Sequence, residues 1–110
     1  MLLEKVLHRI SVLNSQGELS REVSKIVFDS RKAIDSAMYV AMKGVVADGH
    51  QFINAAIEKG ANVIVCEEIP SDKKENVTYI QVKDTAVALG HLASNFYGNP
   101  SEKLNLIGVT

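Results

Sequence analysis

Apolar side chains recur at helical spacing in three parts of the chain, and this pattern predicts helices over residues 2–9, 48–59 and 84–97. Asp48 is placed to cap the second helix and Asp84 or Thr85 the third, because their oxygens can accept the N–H groups of a first helical turn. Lys59 followed by Gly60 predicts where the second helix ends. Its buried face is expected to carry Phe52, Ile53, Ala56 and Ile57.

Short apolar runs between those segments predict strands at residues 26–28, 38–42, 62–66, 77–82 and 106–109. Polar stretches at residues 14–21 and 69–76 are expected to be loops, and residues 44–49 a turn-rich connection. Strands alternating with helices favour the α/β class, in one small domain of two or three layers with a largely parallel or mixed sheet flanked by helices. Because an apolar strand ends the sequence, we expect the chain to be part of a longer protein.

Composition then narrows the classes of function. The chain has 110 residues, 46% of them hydrophobic, which is enough for one domain with its own core. Its 12 basic and 13 acidic residues leave a net charge of −1, so no charge pattern predicts binding to nucleic acid or to a membrane surface. No apolar run approaches the roughly 20 residues of a membrane span, and the first residues do not form a secretory signal. The single cysteine, Cys66, cannot form an internal disulfide, and we expect a cytoplasmic protein. We expect a monomer by default.

The first candidate site is Asp29-Ser30-Arg31, which directly follows a predicted strand, where an open α/β sheet places its ligand crevice. A carboxylate, a hydroxyl and a guanidinium there could hydrogen-bond a nucleotide, and Arg31 would suit a phosphate. The alternative is a plain turn, in which Asp29 and Ser30 cap their own backbone and Arg31 forms a surface ion pair. The residue types alone favour the turn.

Other candidates carry less chemistry. The glycines of residues 44–49 could let the backbone approach a ligand, but the segment lacks the Lys-Ser/Thr of a nucleoside triphosphate loop. His50 is expected to be exposed in a first helical turn, and neither it nor His91 has partners at metal-ligand spacing. Cys66 lies in an apolar strand and is expected to act as a small hydrophobe. We therefore assign no catalytic residue and no metal ligand.

Three blocks of sequence, taken in order, resemble the N-terminal domain of the Mur ligases, which add amino acids to peptidoglycan precursors. The first is Phe-Asp-Ser-Arg at residues 28–31 with Met-Tyr-Val-Ala-Met-Lys-Gly at 38–44. The second is Asp-Gly-His-Gln-Phe at 48–52 with Lys-Gly-Ala at 59–61. The third is Phe-Tyr-Gly-Asn-Pro-Ser at 96–101 with Leu-Ile-Gly-Val-Thr at 106–110. This last block is most similar to the ligases that add the third peptide residue, in which an ATP-binding loop follows.

The resemblance implies that residues 1–110 form a domain that binds the UDP part of a UDP-muramyl-dipeptide. By position, Ser30 matches the family's UDP-contacting serine and Phe28 a neighbouring apolar contact. Asp29 and Arg31 stand beside them and are included as substrate-binding candidates.

A second part of the implied UDP site is the loop containing Val45, Val46 and Ala47. In some members of the family the corresponding sequence is His-Gln-Ala. Backbone contacts can persist there, but the two valines cannot supply side-chain hydrogen bonds. A further departure from the family is Ser36-Ala37, where Gly-Asp is usual, and this substitution puts the geometry of that turn in question.

The resemblance also implies a division of labour in peptidoglycan biosynthesis. ATP and Mg²⁺ would be bound by other domains of the full-length ATP-dependent ligase, while this chain holds no cofactor and is inactive alone. Two alternatives stay open: the same domain of the ligase that adds D-alanyl-D-alanine, and a non-enzymatic interaction module with a coincidental turn. The added amino acid, meso-diaminopimelate or lysine, is not specified by these residues.

Overall fold

The computed structural model describes residues 2–42 and 49–97. Its strands are β1 (Val12–Gln16), β2 (Lys25–Val27), β3 (Ala37–Val40), β4 (Val63–Cys66) and β5 (Thr78–Val82). Its α-helices are α1 (Leu3–Val6), α2 (Ile53–Glu58) and α3 (Thr85–Tyr97), and short 3-10 helices span Ser30–Lys32 and Gly49–Phe52. The predicted Asp48 cap, most of the 44–49 connection and the predicted strand at 106–109 lie outside the described residues.

The five strands form one mixed sheet in the order β1-β5-β4-β3-β2. Strands β2, β3, β4 and β5 pair in parallel, whereas β1 pairs with β5 in the antiparallel direction. The predicted α/β class with a largely parallel or mixed sheet is therefore confirmed.

Helices cover both faces of this sheet, so the domain has three layers. Successive side chains of a strand point to opposite faces, and in β3 Met38 and Val40 pack on one side while Ala37 and Tyr39 pack on the other. Helices α1 and α3 supply Leu3, Val6, Ala88 and Leu92 to the first core. Helix α2 supplies Ile53 and Ala56 to the second. Because the inner strands are covered on both faces, β3 and β4 are buried along their whole length.

Strand β1 corrects the predicted loop at residues 14–21. Asn14, Ser15 and Gln16 pair with β5, although every residue of β1 is exposed. A polar, solvent-facing edge strand buries no side chain, so its sequence lacks the apolar alternation by which strands are recognised. Its backbone hydrogen bonds to β5, rather than its side chains, place it in the sheet.

Two predicted helices are shorter than their apolar spacing suggested. Helix α1 ends at Val6, and Arg9 has a left-handed backbone with φ 65°. In the second, residues 49–52 form a 3-10 helix and only Ile53–Glu58 is α-helical. The predicted ending at Gly60 is confirmed, since its φ of +114° is a conformation that glycine adopts without side-chain strain. Helix α3 is confirmed, with the Asp84 carboxylate accepting hydrogen bonds from the N–H groups of Ala86 and Val87.

The turn before β3 keeps a glycine-like geometry without a glycine. Ser36 has φ 63°, in the left-handed region. Its N–H donates to the carbonyl of Gly60 at 2.9 Å, and its own carbonyl accepts from the N–H of Ser24 at 2.9 Å. These two hydrogen bonds hold the serine in a conformation that costs side-chain-bearing residues about 1–2 kcal/mol.

Candidate functional site

A cleft of about 670 Å³ opens at the carboxyl ends of β2 and β3. One side is the segment that leaves β2, and the other is the 3-10 helix Gly49–Phe52, which we call the Gly49–Phe52 wall. The cleft brings together all four described residues that the sequence assigned to UDP binding, one glycine of the candidate segment 44–49, and four residues that the sequence assigned to no site. Its lining comprises Phe28, Asp29, Ser30, Arg31, Tyr39, Met42, Gly49, Phe52 and Ala55. Val45, Val46 and Ala47 lie outside the described residues.

Asp29 and Arg31 form the plain turn that was the alternative interpretation of this sequence. The Asp29 carboxylate caps the 3-10 helix Ser30–Lys32 by accepting from the Arg31 backbone N–H at 2.9 Å. It also accepts from Arg31 Nε at 3.1 Å and from Nη2 at 2.9 Å. These hydrogen bonds lower the pKa of Asp29 to about 2 and raise the pKa of Arg31. Both groups are therefore ionised at neutral pH, and the guanidinium stays largely exposed toward the cleft and solvent.

Ser30 and Phe28 differ sharply in exposure, although both line the cleft. Ser30 is only 8% exposed and begins the 3-10 helix Ser30–Lys32. Phe28 follows the last residue of β2, and 63% of its surface is exposed. A large exposed aromatic beside a mostly buried serine is typical of a ligand site, where apolar area and a few polar groups converge.

The Gly49–Phe52 wall corrects the prediction that Phe52 is buried against the core. Phe52 is 41% exposed and lines the cleft. In a 3-10 helix the side chains at positions i and i+3 lie on the same face, so Gly49 and Phe52 share the face that borders the cleft. The predicted α-helical period instead directed Phe52 inward. The apolar character of the residue gave no sign of this difference.

His50 also differs from its predicted exposure in a first helical turn. It is half-buried, and its Nε2 accepts hydrogen bonds from the backbone N–H of Glu67 at 3.0 Å and of Glu68 at 3.4 Å. Both donors lie just after β4, so the imidazole connects the wall to the carboxyl end of that strand. Sequence spacing could not reveal this contact, since its partners are backbone groups in a distant segment.

The remaining candidates from the sequence have plain structural surroundings. Cys66 is fully buried, and burial raises the pKa of its thiol to about 12, which disfavours the nucleophilic thiolate. Among residues 2–42 and 49–97, no group of three or more His, Cys, Asp or Glu side chains is placed to hold a metal ion. No helix in that part of the chain is long and apolar enough to span a membrane.

Comparison with known proteins decides the family. Residues 22–97 match the family model described as Mur ligase family, catalytic domain. The chain belongs to the Mur ligase family. That match covers the whole cleft described above, from β2 through the Gly49–Phe52 wall to the end of α3.

Curated Mur ligases match the whole chain. A UDP-N-acetylmuramoyl-L-alanyl-D-glutamate--2,6-diaminopimelate ligase of Phocaeicola vulgatus is 49% identical over 110 residues. The ligase of the same name from Cytophaga hutchinsonii is 46% identical over 111 residues. Each match covers 100% of this chain and 23% of the relative, so the chain spans about a quarter of the length of these Mur ligases.

Solved Mur ligases share the fold. A UDP-N-acetylmuramoylalanyl-D-glutamyl-2,6-diaminopimelate--D-alanyl-D-alanyl ligase from Acinetobacter baumannii superimposes with a TM-score of 0.70 at 26% identity. That match covers 84% of this chain and 20% of the solved one. The MurF ligase from Thermotoga maritima, solved with ADP, gives a TM-score of 0.56 at 28% identity over 78% of this chain and 18% of the solved one.

Proposed function

We propose that residues 1–110 form the UDP-binding domain of a ligase that adds 2,6-diaminopimelate to UDP-N-acetylmuramoyl-L-alanyl-D-glutamate. The observation that carries this proposal is the cleft, which gathers Phe28, Ser30 and Arg31 at the carboxyl ends of parallel strands. Open α/β sheets bind ligands at that edge. The substrate is proposed from the names of relatives that are 40–49% identical over the whole chain.

Each group in the cleft suits one part of a nucleoside diphosphate. The exposed rings of Phe28 and Phe52 offer apolar faces to the uracil base, as aromatic side chains do for nucleobases. The Ser30 hydroxyl suits a base or ribose oxygen, and the exposed Arg31 guanidinium suits the diphosphate. Asp29 has the supporting role of holding Arg31. Val45, Val46 and Ala47 would add backbone contacts to the nucleotide.

The alternative, a domain of the D-alanyl-D-alanine-adding ligase, is less well supported. The solved ligase of that activity from A. baumannii is 26% identical to this chain. The diaminopimelate ligases reach 49% identity over a longer match. A non-enzymatic module is disfavoured because the relatives that match the whole chain are named as ligases.

ATP and Mg²⁺ would be used by the full-length cytoplasmic enzyme in peptidoglycan synthesis. The described residues do not fit either group, because they hold no metal-ligand cluster and the sequence lacks a nucleoside triphosphate loop. We propose that the chain binds substrate as a monomer and lacks ligase activity alone.

A titration of UDP into the ¹⁵N-labelled chain tests the proposal. We expect amide signals of Ser30, Arg31 and Gly49 to shift at up to millimolar UDP, since this cleft alone is expected to bind weakly. Phe28→Ala should weaken binding about tenfold, as the loss of a stacked aromatic does for nucleobases.

Leu13→Ala is the matched control for this variant. Leu13 is as exposed as Phe28, at 62%, but lies on β1 outside the cleft. Its substitution should leave UDP affinity unchanged. If neither Ser30 nor Gly49 responds to UDP, or if both variants weaken binding equally, the cleft is not the nucleotide site.

A further inference from the structure

The Gly49–Phe52 wall is fixed to the end of β3 by its first residue. The Gly49 N–H donates to the Met42 carbonyl at 2.6 Å, and the Tyr39 hydroxyl donates to the Gly49 carbonyl at 2.8 Å. A Cβ atom on Gly49 would lie 2.6 Å from the Met42 carbonyl oxygen and 2.7 Å from its nitrogen. Only glycine therefore permits this approach, and the wall begins at a closely defined position.

The next residue, His50, fixes the wall to a second strand. Its Nε2 receives the N–H groups of Glu67 and Glu68, at 3.0 and 3.4 Å. Backbone N–H groups can only donate, so this nitrogen must be the unprotonated one of a neutral imidazole. His50 is not among the residues that line the cleft, and its two backbone partners lie just after β4.

Glu67, which donates its backbone N–H to His50, is itself hydrogen-bonded to two other elements. The carbonyl of Glu67 accepts from the Gln81 side chain on β5 at 3.0 Å. Its carboxylate accepts from the Thr85 backbone N–H at 3.0 Å and from the Thr85 hydroxyl at 3.1 Å, at the start of α3. Glu67 is therefore held in place by β5 and by the start of α3, rather than lying in a free loop.

We propose that His50 is a positioning residue for nucleotide binding. By accepting two hydrogen bonds at Nε2 it holds the Gly49–Phe52 wall against β4 and so sets the distance of the Phe52 ring from Phe28 across the cleft. This inference rests on the proposed function, because it names the residue that shapes the proposed UDP site without touching UDP. A group that fixes a binding wall lowers the ordering cost that the ligand must otherwise supply.

Three variants of the chain separate positioning from a general effect on folding. His50→Ala removes the acceptor and should weaken UDP binding about tenfold, the size of one or two net hydrogen bonds. His50→Gln offers a side-chain oxygen as acceptor and should recover affinity to within about threefold of the unchanged chain. His91→Ala removes an exposed histidine on α3, away from the cleft, and should leave affinity unchanged.

Nuclear magnetic resonance of the unliganded protein supplies a readout that general destabilisation does not produce. The His50 Nε2 should have the ¹⁵N shift of an unprotonated acceptor, and the Glu67 and Glu68 amides should carry downfield hydrogen-bonded shifts. In His50→Ala those two amides and the Phe52 ring signals should move, while amides at the opposite end of the sheet stay in place.

The outcomes are distinguishable. An unchanged chain that does not respond to UDP overturns both the nucleotide proposal and the positioning role. If the chain binds UDP and His50→Ala binds it equally well, or if Nε2 is protonated, only the positioning role is wrong. If His50→Ala does not fold, the UDP affinity of His50→Gln is the test. Affinity within about threefold of the unchanged chain supports an acceptor role for His50, and a loss near tenfold overturns it.

Discussion

The two ends of the sheet are built differently, although the same strands form both. The cleft lies at the carboxyl ends of β2 and β3, with Phe28 and Phe52 exposed and Ser30 mostly buried. At the amino end, backbone groups close the structure: Ser36 bonds Gly60 and Ser24, and the N–H of Asn62 bonds the carbonyl of Ala37. If the cleft binds UDP as proposed, binding and stability are supported by separate residues, so substitutions at the two ends should have different effects.

The largest effect is expected at the amino end, from Gly60→Ala. Its Cβ would lie 2.8 Å from both the Cα and the nitrogen of Asp35, and φ is +114°. Backbone cannot move aside cheaply, so we expect a loss of about 3 kcal/mol in the free energy of unfolding, measured by urea denaturation. The fraction that folds should bind UDP normally.

Gly90→Ala is the matched control for this substitution. Gly90 lies in α3 with nothing within 4 Å of an added Cβ, so alanine should stabilise the protein by about 0.5–1 kcal/mol. Equal losses at the two glycines would show that the close approach to Asp35 is not the cause.

The second-largest effect tests whether the carboxyl end of β4 is closed to solvent. Burial raises the pKa of Cys66 from 9.0 to about 12, so the folded state keeps its proton where the unfolded chain loses it. Stability is therefore complete below about pH 9 and falls between pH 9 and 12, by about 1.4 kcal/mol per pH unit from this group. Urea denaturation of the chain and of Cys66→Ala at pH 7 and pH 10.5 measures the difference. If the variant loses as much stability between those pH values as the unchanged chain, the thiol is not responsible.

The same substitution, serine to alanine, can be made at both ends of the sheet and its effects compared. Ser24→Ala, at the amino end, removes a 2.6 Å hydrogen bond from its hydroxyl to the Asp35 carbonyl and should cost about 1 kcal/mol of stability. Ser30→Ala, in the cleft, should weaken UDP binding about tenfold and shift the melting temperature by only about 2 °C. Calorimetry and amide-shift titration of both variants give the comparison. A Ser24 variant that loses UDP affinity like the Ser30 variant would contradict the separation of the two ends.

The smallest expected effect is a gain in stability, from Ser36→Gly. Its φ of 63° is disfavoured for serine but not for glycine. Release of that strain should stabilise the protein by about 0.5–1 kcal/mol, after the greater freedom of glycine in the unfolded chain is subtracted. Thermal melting measures the change, and a lower melting temperature would show that Ser36 is not strained.

Patterns of apolar residues were sufficient for the parts of the fold that bury side chains. Strand β4 was predicted because its apolar residues are buried on both faces of the sheet, and helix α3 because it presents an apolar face to the core. Strand β1 was missed since its side chains face solvent and only its backbone specifies its place. The direction of Phe52 was wrong because a 3-10 helix and an α-helix differ in period, and a single residue does not reveal which forms.

Local sequence identified only one half of the cleft, the segment that follows β2. Asp29, Ser30 and Arg31 adjoin each other and follow a strand, so their common position could be inferred from chain order. Tyr39, Gly49 and His50 contribute through contacts between segments, and these depend on strand order and helix geometry. The roles of Ser30 and Phe28 in binding UDP stay predictions that the titration tests.

The pairing of β1 has a consequence for how the chain assembles. Val12 pairs with Val82, 70 residues further along the chain (82 − 12), whereas the parallel strands pair with neighbours closer along the chain. Closing so long a loop costs entropy, and contacts of this kind slow folding. During synthesis the ribosome releases β1 first, and this strand must wait unpaired until β5 has emerged.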